Sequence, residues 1–264
     1  MNITTASLSE RGARASNQDQ VGEILGSRAA CFIVCDGIAG LPGGDTAARL
    51  ACESIVSRFN AEGHLSAQHV RQYVNDANQA IRIGQKTSPD YARMGTTLVG
   101  LFIDRDYQLA YCTHAGDSRL YLFRRGWLHH VTIDHSLVQQ MKDAGHDTDG
   151  INNNLLYFAL GMNDDGREAS YSYLEPIEDG DAFLLCTDGF WHGVSEEQMQ
   201  QTLHLVTTPQ EWLTLMNQLI IKNNGDSQSR QDNYSALAVW IGSPHDTTLL
   251  HSPADAMQFL SSRD

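Results

Sequence analysis

The order of apolar and polar positions along the chain predicts short strands interrupted by grouped helices. Apolar residues recur at helical spacing over residues 46–60 and again over residues 67–84. Two later segments open with sequences typical of a helix capping box, at Ser195 and at Thr208. Gly225 is expected to end the helix that begins after Thr208.

Between these helices the pattern predicts strands. The runs 31–35 and 183–186 are short, wholly apolar and bounded, as buried strands are. Further strands are expected at 96–103, 107–114, 119–123, 127–132, 182–186 and 235–241. Residues 109–123 are interpreted as a hairpin that turns at Gly116-Asp117, so the sheet is expected to be largely an antiparallel meander. Because the helices come in groups and not one per strand, the chain is assigned to the α+β class.

Composition bounds the domain organisation. The chain has 264 residues, of which 41% are hydrophobic and 19% are charged, enough for one large single-core domain. It contains no linker-like or low-complexity tract that would divide it. Residues 1–242 are therefore expected to form the domain, and residues 243–264 a tail with a short helix beginning at Ser252.

Charge and cysteine usage exclude several classes of function. The formal net charge of −14 argues against binding to nucleic acid or to an anionic membrane. The amino terminus lacks the features of an export signal, and no apolar stretch approaches 20 residues, so a cytoplasmic location is expected. Five cysteines without a C-x-x-C pair are typical of reduced core thiols and make a zinc site improbable.

The aspartates stand in unusual positions. Asp36 and Asp188 each follow an apolar strand-like run. A buried carboxylate without a partner costs several kcal/mol, and few basic residues lie nearby in the sequence. A divalent metal is the expected partner, and an all-oxygen ligand set favours Mg²⁺ or Mn²⁺ over zinc.

Six short motifs carry the specific signal. Taken singly, each is more often an ordinary turn. They occur in this order: R-x-x-N-x-D at 14–19, D-G-x-x-G-x-x-x-G-D at 36–45, M-G-T-T at 94–97, G-D-S-R at 116–119, T-D-G at 187–189 and D-N at 232–233. The set and its order resemble the metal-dependent serine/threonine protein phosphatases of the type 2C family, over nearly the whole chain.

The resemblance implies a fold and a metal centre. The fold would be a four-layer αββα sandwich, two antiparallel sheets packed face to face and flanked by helices. Asp36 would touch both of two core metal ions, and the carbonyl of Gly37 would complete the second site. Asp188 and Asp232 would hold the first ion. Asp19 would anchor waters on the second, and Asp117 would help to bind a weaker third ion.

The resemblance also implies a mechanism. A water that bridges two Mn²⁺ or Mg²⁺ ions would attack the phosphorus directly, without a phosphoenzyme. Arg14 would grip the phosphate through parallel hydrogen bonds, its alternative being a surface cation. The expected catalytic residues are thus Arg14, Asp36, Asp188 and Asp232.

Two departures mark a bacterial-type member. Gln18 stands where many members have glutamate, and Ile38 stands where eukaryotic members have a histidine proposed as general acid. The leaving hydroxyl would then take its proton from water. Residues 145–154 fall where bacterial members carry a flap beside the active site. His192 follows Asp188 closely, but a surface position is the better interpretation.

The sequence therefore predicts a metal-dependent phosphatase that removes phosphate from phosphoserine and phosphothreonine in proteins, opposing a eukaryotic-like Ser/Thr kinase. Compact bacterial members sometimes serve secretion or envelope regulation. Two alternatives stay open: a catalytically weak regulator that binds phosphoproteins, and a phosphohydrolase of small phosphoesters. Since every expected ligand aspartate is present, activity is favoured.

Overall fold

The computed structural model describes residues 1–38, 42–62, 65–152, 154–162, 166–173, 176–225 and 231–244. The tail helix expected from Ser252 lies outside them. The ten described strands are β1 (Ile3–Glu10), β2 (Asp19–Leu25), β3 (Ala29–Asp36), β4 (Leu98–Asp104), β5 (Leu109–Ala115), β6 (Arg119–Arg124), β7 (Trp127–Val131), β8 (Ser170–Tyr173), β9 (Ala182–Cys186) and β10 (Tyr234–Ile241). The described helices are α1 (Gly44–Glu62), α2 (Ala67–Gly84), α3 (Leu137–Asp143), α4 (Asp188–Trp191), α5 (Glu196–Leu203) and α6 (Pro209–Asn224), with a 3-10 turn at Pro89–Tyr91.

The strands form two antiparallel sheets of five. One has the order β1-β10-β9-β6-β7, and the other has the order β2-β3-β4-β5-β8. Three apolar cores separate four layers. One lies between the sheets, one beneath α1 and α2, and one beneath α5 and α6. This is the four-layer α+β sandwich expected from the family resemblance.

Strand β3 shows why its sequence is continuously apolar. Phe32 and Val34 face the opposite sheet, whereas Cys31, Ile33 and Cys35 face the helices. Both faces of the strand are buried, so the usual alternation of apolar and polar residues is lost. All five cysteines are free and buried, as expected.

The hairpin predicted over residues 109–123 is wrong. Strand β5 pairs with β4 and β8 in one sheet, whereas β6 pairs with β7 and β9 in the other. Residues 116–118 therefore carry the chain from one sheet to the other. Gly116 has a φ of 97°, which suits a sharp change of direction. A turn signal between two apolar strands does not tell which partners those strands choose, so the pattern could not distinguish a hairpin from a crossing.

The sequence pattern did not predict three of the described strands, β1, β2 and β8.

The sequence predicted the helix caps better than the strands. Ser195 makes a full capping box with Gln198. Thr208 accepts a hydrogen bond from the Glu211 backbone, as predicted, and the Glu211 carboxylate also accepts hydrogen bonds from the amide and hydroxyl of Thr207. No helix in the described part of the chain has the length and apolarity needed to cross a bilayer.

Candidate metal centre

The expected site residues gather at one end of the sandwich. Asp19 begins β2 and lies opposite Asp36, the last residue of β3. Asp188 follows β9, and Asp232 precedes the neighbouring strand β10. The crossing between β5 and β6 brings Asp117 to the same place. Five aspartates separated by up to 213 positions thus converge because their strands end at one edge of two packed sheets.

The aspartates border a cleft of about 260 Å³. Its lining includes four of the five aspartates and the backbone of Gly37, together with groups from both sheets and from the segment before β8. The full lining is Gln18, Asp36, Gly37, Ile38, Thr97, Asp117, Asn152, Asn154, Leu156, Asp188, Asp232 and Asn233. Asp19, which pairs with Asp36 across β2 and β3, is 8% exposed and is not among the lining residues. The segment 145–154, expected to be a flap, contributes Asn152 and Asn154 to the lining of the cleft.

The backbone around Asp36 is held by the M-G-T-T motif. The Asp36 amide donates to the Thr97 hydroxyl at 3.0 Å, and the Asp36 carbonyl accepts from the Thr96 hydroxyl at 2.8 Å. The Thr97 hydroxyl also bonds Ser118 Oγ at 2.7 Å. The motif therefore links the end of β3 to the crossing that carries Asp117.

Asn233 holds the loop that carries Arg14. Its side-chain oxygen accepts from the Gln18 amide at 2.9 Å, and its Nδ2 donates to the carbonyls of Arg11 and Ser16 at 2.7 and 2.9 Å. The D-N motif placed this asparagine beside Asp232 but predicted no role for it. Because it is 5% exposed and bonds three backbone groups, it fixes the loop beside Asp232.

Gly37 has a packing reason to be glycine. A Cβ built on it would lie 2.4 Å from the backbone carbonyl of Gly44, at the start of α1. The family resemblance gives its carbonyl a place at the second metal ion. The structure adds a steric reason, since the end of β3 could not pack on α1 if residue 37 carried a side chain.

The carboxylates raise one another's pKa values. Burial, and next the charges of Asp19 and Asp188, raise the pKa of Asp36 well above its ordinary value. Burial raises the pKa of Asp19 to about 6. Burial and the charge of Asp188 raise that of Asp117 to about 8. The cluster therefore binds protons, or other cations, more readily than exposed aspartates do.

An arginine and a histidine reach the cluster from its rim. Arg14, half exposed, donates from Nη2 to Asp232 Oδ2 at 2.6 Å. The His192 Nδ1 lies 4.0 Å from Asp188 Oδ2, and its side chain is 43% exposed. His192 is thus a surface residue, as expected, but it borders the acidic cluster.

The arginine of the G-D-S-R motif turns away from the cleft. Arg119 makes a bidentate ion pair with Asp134 at 2.8 Å and stacks on the Trp191 ring with its guanidinium carbon 3.5 Å from the ring centroid. Trp191 in turn donates from Nε1 to the Asp117 carbonyl at 2.9 Å. These residues brace the crossing and do not face the cleft.

The donor chemistry fits divalent metal ions. In the part of the chain that the structure describes, no three acidic, His or Cys side chains form a ready-made ligand set for one ion. The Asp232 carboxylate is bonded to Arg14 instead. However, Asp19 Oδ1 is buried without a hydrogen-bond partner, and the neighbouring carboxylates have raised pKa values. Oxygen donors with uncompensated charge suit Mg²⁺ or Mn²⁺.

A family model described as protein phosphatase 2C matches residues 8–220. The chain belongs to the protein phosphatase 2C family. The serine/threonine phosphatase stp of Listeria monocytogenes is 30% identical over 217 residues, which cover 78% of this chain and 82% of that one. The family and the enzyme class expected from the six motifs are thereby confirmed.

Solved protein phosphatases have the same fold. The catalytic domain of the serine/threonine protein phosphatase PstP, in complex with two manganese ions, is 28% identical with a TM-score of 0.77, over 91% of this phosphatase and 98% of that chain. PppA, described as a key regulatory component of the T6SS in Pseudomonas aeruginosa, is 27% identical with a TM-score of 0.73, over 91% of this phosphatase and 98% of that chain.

Proposed function

We propose that this phosphatase hydrolyses phosphoserine and phosphothreonine in proteins and requires Mn²⁺ or Mg²⁺ at the aspartate cleft. The observation that carries the proposal is the convergence of the aspartates of five motifs on one cleft. The manganese-bound PstP domain, which shares the fold, supports the choice of metal. The opening also suits a protein substrate, since one of its walls is an exposed segment that includes Asn152 and Asn154.

The proposed ligands follow the geometry of the cleft. Asp36, the Gly37 carbonyl, Asp188 and Asp232 would hold the two core ions, and all four residues line the cleft together with Asp117. Asp19, paired with Asp36 across β2 and β3, would bind through water. When bound, two divalent ions supply a water of lowered pKa and offset charge on the reacting phosphate oxygens, and a third would bind more weakly near Asp117.

The protein's own residues position the phosphate. Arg14 extends from a loop that Asn233 holds in place, and its guanidinium lies beside the cleft. A guanidinium in this position would donate to two phosphate oxygens, and Asp232 would then be one of the residues that hold the metal ions. Asn152 and Asn154 line the same cleft, and their amide groups would contact the substrate chain beside the phosphorylated residue.

The biological partners are the phosphorylated substrates and a Ser/Thr kinase that acts on the same proteins. Similarity to PppA supports a role in the regulation of secretion. A cytoplasmic location stays a prediction from the sequence.

The test is phosphate release from a phosphothreonine peptide in Mn²⁺, in Mg²⁺ and in excess chelator. Metal-dependent release that chelator abolishes is the expected result. A parallel assay with a nucleotide and with an aryl phosphate separates the two enzymatic alternatives, since faster turnover of small esters would contradict a protein substrate. Binding of the peptide without turnover in any metal would instead indicate a phosphoprotein-binding regulator.

A further inference from the structure

His135 joins two walls of the cleft. Its backbone amide donates to the Gly116 carbonyl at 2.9 Å, and the Gly116 amide donates back to the His135 ring at Nδ1, at 3.3 Å. Its backbone carbonyl accepts from the Tyr157 amide at 2.9 Å. Gly116 directly precedes Asp117, and Tyr157 directly follows Leu156, which lines the cleft. One residue therefore holds both the Asp117 crossing and the segment opposite.

The hydrogen bonds define the tautomer of this ring. Because the Gly116 amide is a donor, Nδ1 must accept, so the ring proton lies on Nε2. Nε2 then donates to the Ser170 hydroxyl at 2.8 Å. The ring is 6% exposed and stacks on His114 with centroids 4.6 Å apart. Burial and the neighbouring His114 lower the pKa of His135 to about 4, which keeps the ring neutral near neutral pH.

The backbone of Gly116 is constrained by its conformation and by the neighbouring Thr97 side chain. Its φ of 97° is in the left-handed region, and a Cβ there would lie 2.7 Å from the Thr97 side chain. Paired bonds to His135, one through each backbone group of Gly116, fix the peptide that leads into Asp117. The Trp191 bond to the Asp117 carbonyl fixes the other side of the same residue.

We propose that His135 is a positioning residue that aims the Asp117 carboxylate into the cleft through the Gly116 peptide. This inference rests on the proposed role of Asp117 as ligand of the weaker third ion. A buried histidine that served only for packing would stabilise the domain equally through either ring nitrogen, whereas a positioning role depends on Nδ1.

Two substitutions of His135 distinguish the contribution of Nδ1 from that of Nε2. In His135→Asn the side-chain oxygen falls near the position of Nδ1 and can still accept from Gly116, but the bond to Ser170 is lost. In His135→Gln the amide reaches the position of Nε2 and can still bond Ser170, but the acceptor for Gly116 is lost. The matched control is His114→Gln, since His114 is similarly buried and stacks on the same ring, but its own ring bonds only the Ile133 carbonyl among the bonds that the structure describes.

The measurement is the equilibrium binding of Mn²⁺, with free Mn²⁺ quantified by its electron paramagnetic resonance signal, alongside phosphate release as a function of Mn²⁺ concentration. We expect His135→Gln to weaken the weakest Mn²⁺ site about 10-fold and leave the tighter sites unchanged, since supporting residues of metal sites act on that scale. His135→Asn should stay within about threefold of the parent, and His114→Gln should not change Mn²⁺ binding.

Ser170→Ala gives a second route, should His135→Gln fold poorly. Without the Ser170 acceptor the ring proton can move to Nδ1, which weakens the bond from Gly116, so the same site should weaken to a smaller extent. Equal losses in His135→Asn and His135→Gln, or a loss at all sites together, would show a packing role and overturn the inference.

Asp117→Asn distinguishes the inference from its premise. If Asp117→Asn removes the weakest Mn²⁺ site and His135→Gln does not weaken it, the positioning role is wrong but the proposed function stands. If Asp117→Asn leaves Mn²⁺ binding unchanged, the assignment of Asp117 fails and the inference fails with it.

Discussion

The two ends of β9 carry aspartates with opposite surroundings. Asp181, just before the strand, is 0% exposed and accepts two hydrogen bonds from Arg124 at 2.8 Å and one from the Glu178 amide. Asp188, just after the strand, faces the carboxylates of Asp36 and Asp232. Asp181 is thus fully compensated within the protein, whereas the surroundings of Asp188 agree with the proposal that its group binds a cation from solution.

The largest effect is expected at the acidic end. Asp36→Asn should lower turnover by about 10³-fold or more, because it removes the charge shared by both proposed metal ions but little volume. In excess chelator the same variant should unfold at a higher temperature than the parent, since one of several mutually repelling carboxylates is gone. Phosphate release and thermal unfolding are the measurements.

Asp106→Asn is the matched control for that substitution. Asp106 forms a surface ion pair with Arg28, far from the cleft in the fold, and should change neither quantity by much. Turnover close to that of the parent in Asp36→Asn would contradict the assignment of the metal centre.

At the Asp181 end of β9, substitution of the partner residue should lower stability. Arg124→Met should reduce the free energy of unfolding by about 3–5 kcal/mol, because Asp181 would be left buried without its counter-charge. Adding Asp181→Asn should restore part of the loss. Urea denaturation in the presence of Mn²⁺ measures both. A loss below about 1 kcal/mol would mean that the two ends of β9 do not differ as described.

Arg14 should behave differently from Arg124, although both pair with an aspartate. Arg14→Ala is expected to lower turnover by about 10²-fold through loss of phosphate binding. It should change stability by less than about 1 kcal/mol, since the pair is half exposed. Arg14→Lys should be intermediate, because lysine keeps the charge and loses the planar fork. Steady-state kinetics on a phosphothreonine peptide measure this effect. Unchanged turnover in Arg14→Ala would favour the alternative interpretation of Arg14 as a surface cation.

The smallest effect is a pH dependence that metal should suppress. The folded state raises the pKa of Asp19 to about 6 and that of Asp117 to about 8, both from an ordinary value of 3.8. The folded protein therefore holds more protons than the unfolded chain between about pH 4 and pH 8, so stability should fall as pH rises across that window. Unfolding in chelator and in Mn²⁺ measures it, and the same slope in both would argue against metal at the aspartates.

Local sequence predicted the elements whose signals are local. The helical spacing of 67–84 and the cap at Ser195 correspond to α2 and to the start of α5. The aspartates at the ends of β3 and β9 were identified because an acid that follows a buried strand is chemically costly wherever that strand lies. The order of six motifs then indicated the family, and with it the two-sheet sandwich.

Tertiary structure alone decided what depends on partners distant in sequence. The pattern could not show that the chain crosses between sheets at Gly116, because strand pairing is set by packing of whole faces and not by the turn. The pattern also could not predict that Asn233 binds the loop that carries Arg14, or that His135 binds the backbone of Gly116. Those roles rest on bonds across 19 to 222 positions, whose directions exist only once both sheets have packed.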